Sequence, residues 1–319
     1  MPRRATWLAT GLLTALALAG CSLGPGTSGS GDARLAVTRD FGARVVLRAT
    51  EKKIPGGETV MRMLERNAKI DTRYGGRFVE SIEGVESGTG GGQRDWFYYL
   101  NGIEADVGAA ERDVHANDRV WWDYHRWDAA MRVPAVVGSF PEPFLHGSDG
   151  KRFPVRIDCA KDASDACSAV AKRLESVDIV PSVAAIGAGA GKELLRLVVG
   201  EWKDVRADGA SYQLAQGPDK SGVFLHPGPA PGGGFEFDLL NDAGQVVRTS
   251  GAGTGLVAAT RFEEQQPTWV VTGTDQAGLD AAVRLISPGT LRDRFAVASV
   301  AGKAEPLPVV PVAAGSEKR

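Results

Sequence analysis

Two aromatic-rich stretches place the hardest constraint on this chain. Trp96-Phe97-Tyr98-Tyr99-Leu100 and Trp121-Trp122-Asp123-Tyr124-His125-Arg126-Trp127 both read as β-strands, rich in residues that suit a pleated surface. Successive side chains of a strand point to opposite faces. Trp96, Tyr98 and Leu100 therefore share one face of the first strand, and Phe97 and Tyr99 the other. In the second, Trp121, Asp123, His125 and Trp127 oppose Trp122, Tyr124 and Arg126. A small domain has one core, so if the strands pair only one face lines it. The other face is expected to stay open, with Asp123 and Arg126 exposed or at its rim. An open aromatic face suits a flat, partly apolar ligand such as a corrin or sugar ring. The alternative is that every ring is core or protective cover.

The surrounding residues predict a small α+β unit. Arg34–Asp40 and Ala43–Ala49 alternate apolar and polar as half-buried strands do, joined by a tight turn at Phe41-Gly42. A helix follows, capped near Thr59 or Glu58, with Val60, Met63, Leu64 and Asn67 on one face. Arg77–Ile82 is a further strand. Glu86–Arg94 is long and glycine-rich for a connection between strands, and glycine lets backbone approach a ligand closely. Gly90, Gly91, Gly92 and Arg94 are thus candidate ligand contacts beside Trp96, Tyr98, Trp121 and Trp122, unless the segment is merely a loop.

The order and spacing of four landmarks resemble a known family. They are Gly57-x-Thr59-Val60, the segment Gly76–Gly84, Trp96-x-Tyr98-x-x-Asn101-Gly102, and the turn Asn117-Asp118-Arg119 entering a strand at Val120. Together they resemble the C-terminal β-domain of transcobalamin and intrinsic factor, and more closely the bacterial transcobalamin-like domain called DUF4430. The resemblance spans about 95 residues, under a third of the chain. It implies a β-grasp-like fold, a mixed sheet against one helix, and in the vertebrate carriers such a domain closes over one side of cobalamin. Those carriers cover the vitamin's other side with a large helical domain, and nothing in this chain resembles one. Cobalamin is accordingly a candidate ligand, and no cofactor is required.

The N-terminal residues predict an address. Met1–Arg4 is basic, the next stretch is an apolar run of signal-peptide length, and Leu18-Ala19-Gly20-Cys21 resembles a bacterial lipobox. Residues 1–21 then form a lipoprotein signal with Cys21 lipidated, and 22–32 a Gly/Ser/Pro tether. An ordinary secretory signal followed by a chance Cys is the alternative. The expected location is the extracytoplasmic face of a bacterial cell membrane. Cys159 and Cys167 remain and are expected to form a disulfide there, two independent buried thiols being the alternative.

The transcobalamin-like domain is expected at 33–130, an α/β sandwich-type domain at 134–303, and a disordered tail at 304–319. Within the second, Phe153–Asp158 and Thr268–Thr272 each lead into a helix. Cys167, Val170, Ala171 and Leu174 recur at helical spacing, placing Cys167 inward. Leu194–Val199, Phe235–Leu240 and Val246–Arg248 read as further strands. With 37 basic against 39 acidic residues and no long run of either sign, a nucleic-acid partner is not expected. Gly187–Lys192 is no P-loop, because Ile186 and Glu193 replace its first Gly and its Ser/Thr. Four scattered His give no metal spacing, and no nucleophile motif suggests catalysis. A carboxylate pair drawn from Glu142, Asp158 or Asp275 is the weak exception.

The function expected is small-ligand capture by a non-enzymatic lipoprotein, held by its lipid and serving a transporter or other envelope partner. A structural or protein-interaction module is one alternative. An envelope enzyme with its site in 134–303 is the other.

Overall fold

A computed structural model describes residues 31–88, 93–189, 191–263 and 265–310. The chain is α+β, and its strands gather into four sheets. β1 (Ala33–Arg39) and β2 (Arg44–Glu51) form an antiparallel hairpin. Its turn runs through Asp40, Phe41 and Gly42, all at positive φ (56°, 57° and 80°). α1 (Val60–Asn67) starts where expected, because the Thr59 side chain accepts the Arg62 N–H. β3 (Ile70–Arg73), β4 (Phe78–Ile82) and β5 (Val85–Glu86) make a small separate sheet. β6 (Arg94–Leu100), β7 (Ile103–Glu104) and β8 (Arg119–Arg126) complete a five-stranded sheet in the order β2-β1-β8-β6-β7. The central β1–β8 pair is parallel, and β6–β8 is antiparallel with Trp96 opposite Tyr124 and Tyr98 opposite Trp122.

The inner face of this sheet carries Leu35, Val37, Trp96, Tyr98, Trp122 and Tyr124, packed against Met63 and Leu64 of α1. The outer face carries Tyr99 and Trp121, and it is not open. Phe41, Phe224, Leu240 and Phe295 cover it, and Tyr99 and Trp121 are buried. The expectation of an exposed aromatic platform is corrected here. Two dense aromatic faces need two cores, and residues far along the chain supply the second.

Those residues belong to a larger unit. β9 (Val155–Cys159) leads into α2 (Ser164–Glu175), then β10 (Ser182–Ala185) and β11 (Leu195–Glu201). Short helices α3 (Trp202–Val205), α4 (Gly209–Ala215) and α5 (Pro218–Ser221) follow. β12 (Leu225–Pro229), β13 (Phe235–Leu240) and β14 (Val246–Ser250) form an antiparallel meander. β15 (Gly255–Thr260), β16 (Thr268–Gly273), α6 (Gln276–Leu285), α7 (Pro288–Leu291), β17 (Ala296–Val300) and β18 (Lys303–Leu307) end the described chain. The seven-stranded sheet runs β10-β9-β11-β16-β15-β17-β18, parallel from β10 to β16 and antiparallel beyond. α2 and α6 pack together against it.

Cys159 and Cys167 form a disulfide with Cα atoms 6.0 Å apart, fastening the end of β9 to the first turn of α2. Cys167 faces the core, as its helical spacing predicts. The tail expected to be disordered from 304 begins instead within β18, which pairs with β17 at the sheet edge. Pro306 is tolerated there because an edge strand leaves one side of its backbone without ladder bonds. Cys21 lies outside the described residues, as do Gly90, Gly91 and Gly92.

Candidate functional site

Each described residue expected to touch a ligand is committed to the fold. Trp96 donates its indole N–H to the Val85 carbonyl at 3.0 Å and lies 5.3 Å from the Tyr124 ring. The Tyr98 hydroxyl donates to the Val107 carbonyl at 2.6 Å, and burial pushes its pKa up to about 12. Trp122 is buried against Tyr98, ring centroids 5.0 Å apart. The Trp121 indole donates to the Thr38 hydroxyl at 2.7 Å. Arg94 spans two carboxylates, Asp40 at 2.8 Å and Asp242 at 3.4 Å, and so ties the β1–β2 turn to the β13–β14 turn.

Asp123 explains why charge is tolerated in the middle of an aromatic strand. Fully buried, it accepts the backbone N–H of Phe41 at 3.0 Å and of Gly42 at 2.9 Å. It also accepts the Thr38 hydroxyl and lies 2.9 Å from His125 Nδ1. A carboxylate with its lone pairs this well filled can be buried. Its expected rim position is therefore corrected. His125 is sandwiched between Phe41 and Phe97, centroids 4.6 and 4.5 Å away, and is a packed residue. The three carboxylates that might have formed a catalytic pair are likewise occupied. Glu142 accepts from His146, Asp158 from Arg156 and Arg196, and Asp275 caps α6 through the Gly278 N–H. Among the described residues no cluster of three or more His, Cys, Asp or Glu could hold a metal.

What the structure offers instead is a cleft of about 460 Å³ at the junction of the two units. One wall is the outer face of β1, β2 and β8, with Arg34, Ala36, Arg48, Thr50, Arg119 and Trp121. The other comes from Gly138 and Ser139 and from Pro288, Arg292 and Asp293 around α7. The outer face thus changes character along its length, aromatic where it is dry and cationic where it is wet. Arg34 is the direct partner of Arg119 across the parallel β1–β8 pair, while Arg48 lies opposite Ala36.

Arg48 forks onto Asp293, and this hydrogen bond raises its pKa. Arg119 is different. Burial lowers its pKa, Glu142 offsets part of that, and Arg34 and Arg292 push the same way as burial. Among the described residues its guanidinium donates one hydrogen bond, to the Phe140 carbonyl at 3.0 Å. These arginines escaped the sequence analysis because strand alternation marks them only as outward-facing, and outward here means toward the cleft.

Fold and site together define an α+β protein of two docked sheet units with a basic cleft between them. Residues 57–126 match the family model described as Domain of unknown function (DUF4430). That segment runs from just before α1 to the end of β8 and so includes Arg119 and the aromatic strands. No curated protein matches the chain.

Proposed function

We propose that this protein is a non-catalytic, lipid-tethered binding protein of the extracytoplasmic face of a bacterial membrane. Its β-grasp-like, transcobalamin-type domain acts there as one wall of a ligand site. The second domain is the other wall, and a transporter or envelope partner receives the ligand. The observation that carries this is the cleft of about 460 Å³ at the junction, within the usual range for small-molecule sites. One wall comes from strands rather than loops, which favours a preformed site.

Cobalamin fits this arrangement poorly. Of the rings on which a corrin would stack, Trp96, Tyr98 and Trp122 pack in the core with α1 and Trp121 is covered by Phe295, and the macrocycle is too bulky for the cleft. A compact polar solute is the better ligand. The test is a thermal-shift survey of the full-length protein in detergent, with compact metabolites of each charge type and cobalamin. We expect saturable stabilisation by a compact solute, abolished by Thr50→Trp at the exposed rim of the cleft, and none by cobalamin. No shift from any compact solute would overturn the proposal and favour the structural-module alternative.

A further inference from the structure

We propose that the cleft is an anion site that takes a phosphate group between Arg34, Arg119 and Arg292, an assignment that rests on the cleft being the ligand site. The guanidiniums approach from different elements. Arg34 and Arg119 stand side by side on β1 and β8, and Arg292 comes from the end of α7 across the cleft. The lining holds four arginines against two carboxylates, Asp32 and Asp293. Asp293 is taken up by Arg48, and Glu142, which acts on Arg119, is held by His146. Asp32 is exposed. Arg34 and Arg292 have no ion-pair partner among the described residues, and the Arg119 guanidinium has only a neutral carbonyl.

An arginine keeps its charge even when partly buried, so these three repel one another across a confined space. Beyond the effect of burial, Arg34 and Arg292 both push the Arg119 pKa down, the sign this repulsion requires. An arriving oxyanion turns that repulsion into charge-assisted hydrogen bonds. A planar carboxylate is matched by a single forked guanidinium, as Arg48 already matches Asp293. A tetrahedral phosphate presents three oxygens in different directions and suits three guanidiniums from separate elements. A phosphorylated small solute and a phosphomonoester lipid headgroup share this chemistry.

The test is calorimetric titration of the full-length protein with inorganic phosphate at constant ionic strength, with chloride as the control salt. Saturable binding is expected, weakened about tenfold or more by Arg34→Gln with Arg292→Gln, since each removes a charge-assisted bond. Both positions are exposed, and an unchanged circular dichroism melt will show that the double variant folds. Parallel titrations with glycerol 3-phosphate and with monomeric short-chain phosphatidic acid separate the sources, the tighter naming the natural one. Absence of saturable phosphate binding, or binding that the double variant leaves unchanged, overturns the anion assignment. If a neutral solute still binds and Thr50→Trp blocks it, the cleft remains the ligand site and only the phosphate assignment fails. If nothing binds, both fail.

Discussion

At the scale of single residues, the junction is governed by a few buried polar groups, and they differ in how well they are satisfied. Asp123 collects the N–H groups of Phe41 and Gly42, the Thr38 hydroxyl and His125, and so holds the hairpin turn against the sheet. Glu104 is less well served. It is buried, and its ion-pair partner among the described residues, Arg132 at 2.9 Å, is mostly exposed. Burial raises its pKa, and Arg132 offsets only part. The sign of the pH effect follows from linkage. The unfolded carboxyl ionises near its ordinary value of about 4.3, whereas the folded one holds its proton to higher pH. Its contribution is therefore present at low pH and lost as pH rises through the raised folded value. Denaturant melts between pH 4 and 7 should show Glu104→Gln gaining on the wild type as pH rises. A constant difference across that range would mean the carboxylate is better paired than its contacts indicate.

At the scale of elements, the β1–β2 hairpin is the piece that joins the two units. Its turn inserts Phe41 against Phe224 and Phe295, ring centroids 5.0 and 4.9 Å away. Gly42 can occupy this position because it has no side chain. A Cβ there would lie 1.8 Å from the Asp293 carbonyl oxygen, and its φ is 80°. Gly42→Ala should cost about 3 kcal/mol or more, combining a backbone clash with a left-handed conformation. Gly75→Ala, at φ 71° with nothing within 4 Å, should cost only about 1 kcal/mol. Chemical denaturation of the two variants checks this, and equal losses would show that docking tolerates the extra carbon. Such elements differ in how much of them could be read from the sequence. β1 and β2 announce themselves by alternation, β6 and β8 by their aromatic residues, α1 by its Thr59 cap, and Phe235–Leu240 is a strand to the residue. β15 carries no such mark, because Gly255–Thr260 is buried on both faces and shows no period. α3 and α5 are single turns too short for a helical pattern. The cover over the aromatic face was hidden for another reason. Phe224 and Phe295 are far from Trp121 in sequence, and no local pattern encodes a partner at that distance.

At the scale of the whole molecule, the two units should behave as one. The second core belongs to both, and the Arg48–Asp293 and Arg94–Asp242 pairs cross the junction beside it. Unfolding followed by Trp fluorescence and by far-UV circular dichroism should give coincident transitions. Residues 31–133 alone would expose Tyr99, Trp121 and Phe41 and should bind a hydrophobic dye strongly. Two separate transitions, or a dye-silent fragment, would show that the aromatic face is stable without its cover. The same joint bears on how fast anything enters the cleft. Its walls are clamped by Phe41 and by the fork of Arg48 on Asp293, so neither swings open without breaking the second core. Capture then has no closing step to wait for. The observed rate should rise linearly with ligand concentration, without a plateau, and fall as added salt screens the arginines at the mouth.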